Sequence, residues 1–253
     1  MSRVCIFCSR EGQKLTLEHA YPHWLSGLFS KPLKATNEVS GGNVNRVWQG
    51  RVFQHKVKLV CGDCNNGWMS ALEGEAKPLL TSLVLTHDGR TFSREDQRII
   101  SLWAQKTVLV INKAVGGDFD DIPKIFYEQL YADTQPITNI MVSMGWRMLA
   151  NGSKDQPLAS FEIKQVTSVE AEKSSADALR KQMDDDALIW TAILALGNIV
   201  FHVVGTNISG HVEVGSSDHR MFFQINPYQE DLPWPLEWPI EAVGGLEAVR
   251  KGM

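Results

Sequence analysis

Leu59-Val60-Cys61-Gly62-Asp63-Cys64-Asn65-Asn66-Gly67-Trp68 is the stretch on which the fold turns. Alternating Lys56, Val57, Lys58 and Leu59 read as a strand within Val52 to Val60. A Cys-x-x-Cys pair follows, and Trp68 opens an apolar stripe at helical spacing through Leu72, Ala76, Leu79 and Leu80. Pro78 lies inside that stripe, where it is expected to kink or restart the helix. A second pair, Cys5-Ile6-Phe7-Cys8, stands upstream, and these are the chain's four cysteines. Each knuckle offers two thiolates from one tight turn, and two knuckles together meet the tetrahedral demand of zinc. Far apart in sequence, they close a small domain that has little core of its own. Cys5, Cys8, Cys61 and Cys64 are therefore the expected ligands of a structural Zn²⁺. Metal is favoured over disulfide because the N-terminus shows no secretory pattern, so a cytoplasmic, reducing location is expected.

Between the knuckles lies Leu17-Glu18-His19-Ala20-Tyr21-Pro22. Leu15 to Glu18 reads as a strand, so an acidic residue and a histidine stand side by side at a strand end. The carboxylate suits a hard divalent cation, and the neighbouring imidazole can activate a water at a scissile phosphate. Alone, Glu-His-x-x-Pro is a weak signal; its position between two knuckles is what gives it weight. Asn65 follows the last cysteine directly. A helix rotates ~100° per residue, so with Cys64 facing zinc, Asn65 faces elsewhere and can serve a cation beside Glu18. Asn66 competes for that role, since Asn-Asn-Gly is also an ordinary turn.

Cys5-Ile6-Phe7-Cys8, the Leu17 to Pro22 segment and the Leu59 to Trp68 segment together resemble the HNH endonucleases, also called ββα-metal or His-Me finger nucleases. The branch resembled carries a four-cysteine zinc and ends its motif in Asn in place of His. The resemblance covers residues 1 to about 75. It implies His19 as general base, Glu18 and Asn65 as ligands of one catalytic Mg²⁺ or Mn²⁺, and hydrolysis of a phosphodiester by in-line attack. Glu18 departs from the more frequent Asp by one methylene. The residue that shapes the loop carrying the base falls among Asn43, Asn45 and His55. His23, four residues after His19, and Asn66 are further supporting candidates. Arg46, Arg51, Lys56 and Lys58 are candidates for a phosphate-binding rim.

Charge is distributed in keeping with that division. Residues 1–90 hold 11 Lys/Arg against 7 Asp/Glu, whereas the whole chain has a net charge of −4. Polyanion binding is thus expected from the first part, DNA more than RNA. The 43% hydrophobic content excludes a disordered chain. The longest apolar stretch, Ala187 to Gly205, is broken by Thr191, Gly197, Asn198 and His202, so it reads as buried strands and no membrane partner is expected.

The expected fold class is α+β: a zinc-stabilised ββα-metal domain over 1–90, then a mixed α/β domain over 91–253. In the first part Arg3 to Phe7 is expected as a strand and Lys31 to Gly50 as a polar loop. In the second, Ser93 and Asp96 form a capping box opening a helix to about Val110. Helices are also expected over 121–132 and 170–183. Strands are expected over 137–148, 159–169, 188–196, 199–204 and 221–225, and the Pro- and Trp-rich tail, 227–239, as an arm packed on the body. That second part carries no chemical motif. A regulatory, homodimerising, substrate-binding or protein-partner role is the expectation for it. The rival readings are a zinc-bound nucleic-acid-binding module without cleavage, and the same chemistry on RNA or branched DNA.

Overall fold

Strand β1 (Leu15–His19) begins the hairpin that carries most of the chemistry-bearing residues. A 3-10 helix (His23–Gly27) follows it, and then β2 (Lys34–Gly41), β3 (Val44–Arg51) and β4 (Lys56–Cys61). The computed structural model describes residues 4–28, 34–41, 44–51, 53–86, 88–115, 122–148, 159–165, 188–207 and 221–240, with 34–41 and 44–51 described by their backbone. β1 runs antiparallel to β4, pairing Leu15 with Cys61, Thr16 with Val60, Glu18 with Val57 and His19 with Lys56. Between the Thr16 and Glu18 pairs β4 holds one residue more than β1, which is a bulge. There the Leu59 carbonyl accepts the Ile6 N–H at 3.1 Å, tying the first knuckle to the strand.

Two local expectations are corrected in this region. Residues 6–8 form a turn and not a strand end, because the knuckle must fold back to bring both sulfurs to one point. Lys34 to Arg51 is a hairpin and not a loop. Its strands pair in unbroken register from Lys34 opposite Arg51 down to Gly41 opposite Val44. The polar composition concealed the hairpin, since neither strand shows a clean apolar face.

From the last knuckle α1 (Gly62–Cys64) runs through a π-type turn (Asn65–Met69) into α2 (Ser70–Leu85). The break falls at Gly67, whose backbone leaves helical values (φ −90°, ψ −113°), and not at Pro78, where the helix continues. Pro78 and Gly74 are both exposed, so water can serve the Gly74 carbonyl that Pro78 cannot bond. Leu72, Ala76, Leu80, Leu83 and Val84 form the buried stripe.

β5 (Arg90–Phe92) leads into α3 (Arg94–Val115), opened by a reciprocal cap: Asp96 N–H donates to Ser93 Oγ at 3.3 Å and Ser93 N–H to Asp96 Oδ2 at 3.0 Å. The apolar spacing identified α3 as a helix but not how deeply it lies, for Ile100 through Asn112 are buried on every side. Gln105 is paired within that burial: its amide donates to the carbonyls of Ile137 and Ile140 and accepts the Ile137 N–H.

α4 (Lys124–Asp133) and β6 (Ile140–Trp146), β7 (Ala159–Gln165), β8 (Ile189–Leu196), β9 (Ile199–Thr206) and β10 (Phe223–Asn226) follow. The five strands form one antiparallel sheet in the order β10-β6-β9-β8-β7. One face packs on α3, with Trp103 against Phe201. The opposite face gathers Ile193, Ala195, Val200, Phe222 and Ile240. At the β8–β9 turn Gly197 takes φ +55°, and a Cβ there would meet the Val84 carbonyl. The next residue, Asn198, donates its backbone N–H to Val84 O and its side chain to Leu85 O, serving the open carbonyls at the end of α2.

The tail folds back as an arm: β11 (Leu232–Trp234) pairs with β5, and Trp234 is 4% exposed. The buried apolar cluster runs from Cys5 to Leu236 and crosses residue 90, where β5 begins. The architecture is thus mixed α and β. Among the described residues no helix is long and apolar enough to cross a membrane. The helix expected over 170–183, Asp184 to Asp186, His87, Asn43 and His219 lie outside the described residues.

His202 is buried on β9, and a side-chain bond of 2.8 Å joins it to Thr191. Burial pushes its imidazole down to about 4, whereas in an unfolded chain it titrates near ~6.5. Between those values the unfolded state takes up a proton that the folded state refuses, so stability falls as pH falls through that window. His202→Gln should remove roughly 2 to 3 kcal/mol of the wild-type loss between pH ~7 and ~4.5, read from urea midpoints. Equal acid losses in both proteins would discount His202 as the cause.

Candidate functional site

The four cysteine sulfurs lie within 4.8 Å of one another, and Cys8 Sγ stands 3.7 Å from Cys61 Sγ. Tetrahedral zinc with bonds of about 2.3 Å places its sulfurs about 3.8 Å apart, so the cluster is compatible with structural zinc. Cys5, Cys61 and Cys64 are buried, and Cys8 is half-buried. Donors aim at the sulfurs: the Cys61 N–H at Cys5 Sγ (3.4 Å) and Arg10 Nε at Cys8 Sγ (3.3 Å). Arg10 is itself held by Asp63 at 3.0 Å, an outer shell of the kind that orients metal ligands. Burial works against the Cys8 thiolate, but the Arg10 side chain, its backbone and the neighbouring cysteines outweigh it and bring the thiol down to about 6. Burial pushes Cys5 up. It also pushes Cys64 up, reinforced by the charge of Cys5. A divalent cation at the centre removes that conflict between crowding and charge.

Glu18 and His19 end β1, both half-buried, while Leu17 between Thr16 and Glu18 is 54% exposed. Across the ladder the helix that begins behind Cys61 brings Asn65 to the same strand. Asn65 Nδ2 donates to Thr16 Oγ1 at 2.9 Å and to Leu17 O at 3.4 Å, leaving its Oδ1 unused by these bonds. Asn66 is exposed; the contact with β1 is made by Asn65. Burial pushes the Glu18 carboxyl up; Lys106 pulls it down, Glu73 pushes it up, and the His19 N–H pulls it down. Burial also lowers the His19 imidazole, followed by the charges of Lys56 and His23. His19 is therefore neutral, and able to take a proton, at neutral pH.

His23 opens the 3-10 helix and is exposed, its ring 4.7 Å from that of His19 between centroids. His55 supports the same turn through its backbone, accepting the Ala20 N–H at 2.9 Å. Lys56 and Lys58 are exposed on one side of β4, with Lys56 opposite His19. Asn45, Arg46 and Arg51 belong to the backbone of β3.

Sequence reading missed the polar cluster beside this hairpin. Glu73 on α2 accepts from Lys106 Nζ (2.5 Å) and Trp103 Nε1 (3.2 Å) at one oxygen and from Trp24 Nε1 (2.6 Å) at the other. Lys106 comes from α3 and its side chain is 2% exposed. No local signal marked it, since Lys106 stands between Gln105 and Thr107, although a lysine is almost never fully buried unless paired.

Comparison of the chain with protein-family models, with curated proteins and with solved structures finds no match. Chemistry and geometry therefore carry the functional reading. For the cysteine cluster, native mass spectrometry should find one zinc per chain, lost in Cys61→Ala. Because structural zinc supplies folding energy, its removal should cost ~3 kcal/mol or more, lowering the melting temperature by about 10 °C. A zinc-free wild type that melts at the same temperature with and without chelator would exclude the structural-zinc role.

Proposed function

We propose that this chain is a metal-dependent endonuclease of the HNH type, hydrolysing phosphodiester bonds, with DNA as the substrate. The observation that carries the reading is that Asn65 bonds to Thr16 and Leu17 on the same strand that ends in Glu18-His19. A pure binding module has no need of an acid, a base and an amide at those places.

In this reading the Glu18 carboxylate and Asn65 Oδ1 hold one Mg²⁺ or Mn²⁺. The donor set suits such an ion: one hard carboxylate, its charge opposed by burial, and one amide oxygen whose plane is fixed by two hydrogen bonds. When bound, the ion stabilises the charge that grows on the leaving oxygen. His19 takes a proton from water as the water oxygen attacks phosphorus. The bond from phosphorus to the leaving oxygen breaks, and that oxygen takes a proton from solvent. One diester becomes a phosphomonoester and an alcohol. The exposed Lys56 stands opposite His19 and the exposed Lys58 lies two residues further along β4, where they attract the phosphate backbone without reading sequence.

His19→Ala should lower cleavage of plasmid DNA in Mn²⁺ by about 10²- to 10⁴-fold, the usual worth of a general base. Zinc content and circular dichroism should stay as in the wild type. Undiminished cutting by this variant would sink the assignment of the base. Wild-type protein that binds duplex, single-stranded DNA and RNA yet cuts none of them would sink the enzyme reading in favour of a zinc-bound binding module. Cutting of RNA alone would move the substrate and keep the chemistry.

A further inference from the structure

The proposed hydrolysis leaves His23 without a task, although its ring lies 4.7 Å from that of His19 between centroids, tilted by 43°. The backbone that carries it is held on both sides. Before it, the Ala20 N–H donates to His55 O at 2.9 Å, and Pro22 is buried. After it, Trp24 Nε1 donates to Glu73 Oε2 at 2.6 Å, Leu25 is buried, and Ser26 Oγ donates to the His23 carbonyl at 2.7 Å. His23 itself is exposed. A fixed backbone thus presents an open imidazole beside another, close enough for one phosphodiester to reach both by hydrogen bonds.

Cleavage of a diester needs one proton delivered as well as one removed. When the bond to phosphorus breaks, the electron pair stays on an alkoxide oxygen, and a positioned acid meets that charge better than bulk solvent does. Two proton-bearing side chains are placed next to His19: Lys56 by the strand ladder and His23 by its ring contact. A lysine ordinarily keeps its proton at neutral pH, whereas an imidazole exchanges one readily. We propose that His23 is a second catalytic residue, the general acid that protonates the leaving oxygen, held by the 3-10 helix across the phosphorus from His19. The proposal rests on the reading of this site as a phosphodiesterase with His19 as base. The P–O bond breaks and its electron pair passes to the leaving oxygen; an N–H bond of His23 breaks and its proton joins that oxygen. His19 meanwhile holds the proton taken from water, so the two neighbouring rings carry one positive charge before and after the step. Exchange with solvent then restores both.

An acid differs from a phosphate contact or a packing group in one respect: it becomes dispensable when the leaving atom needs no proton. Synthetic duplexes are made with sulfur replacing one or the other bridging oxygen of a linkage that the wild type cuts, because a thiolate departs unprotonated. Cutting at that linkage and at its oxygen counterpart is followed in Mn²⁺ with full-length, zinc-loaded wild type, His23→Ala, His23→Asn and His19→Ala. On oxygen both His23 variants should lose about 10²-fold in kcat with KM little changed, and on leaving sulfur they should come within about threefold of wild type. His19→Ala should be slow on both, since its task is at the water. His23 is exposed, so zinc content and circular dichroism should stay as in the wild type. Equal losses on oxygen and sulfur, a rise in KM alone, or no loss on oxygen each overturn the proposal while His19→Ala still marks the base. A wild type that cuts no linkage, or His19→Ala that cuts like wild type, overturns the reading of the site and this proposal with it.

Discussion

Cys64 and Asn65 are neighbours in the chain, and the arrangement of the candidate site follows from that adjacency. The sulfur is drawn into a four-cysteine cluster with Cys5, Cys8 and Cys61, so the start of the helix is held against the end of β4. One residue further the helical path has turned, and Asn65 meets β1 at Thr16 and Leu17, beside Glu18. The β4 bulge serves the same end, for the Leu59 carbonyl anchors the first knuckle. A few residues of strand and one helical turn have little apolar surface to bury. A structural zinc held by these four sulfurs would supply the rigidity that a larger core would otherwise give.

Rigidity at the other end of α2 comes from a different source. The helix is received by the β8–β9 turn, where Gly197 allows close approach and Asn198 serves the last carbonyls. Its middle is joined to α3 through Glu73 and Lys106. The hairpin, α2, the buried α3 and the five-stranded sheet thus share one apolar cluster. The change in charge near residue 90 falls within a continuous core, and α3, which begins beyond it, packs on β4.

Strong local signals were legible in the sequence. Paired cysteines, an acidic residue next to a histidine, a capping box and alternating apolar runs each carry their meaning within a few residues. β1, β4, α3 and the sheet strands stand close to where periodicity placed them. Errors arose where the decisive partner lies far away. Lys34 to Arg51 is mostly polar, with no clean apolar alternation, and only cross-strand pairing makes it a hairpin. Pro78 was expected to kink or restart the helix, yet the residue that leaves helical geometry is Gly67, where the chain turns from the cysteine cluster onto the body.

The sequence by itself determined which groups can do chemistry: four sulfurs for a metal, Glu18 and His19 side by side, and an Asn after the last cysteine. Those identities are local, because ligand type and spacing are properties of a short segment. Tertiary structure alone decided that Asn65 and not Asn66 meets β1. It alone brought Lys106, from a helix begun beyond residue 90, to the Glu73 carboxylate on α2. Charge acts through space and not along the chain, so no spacing rule could have placed that lysine beside the hairpin.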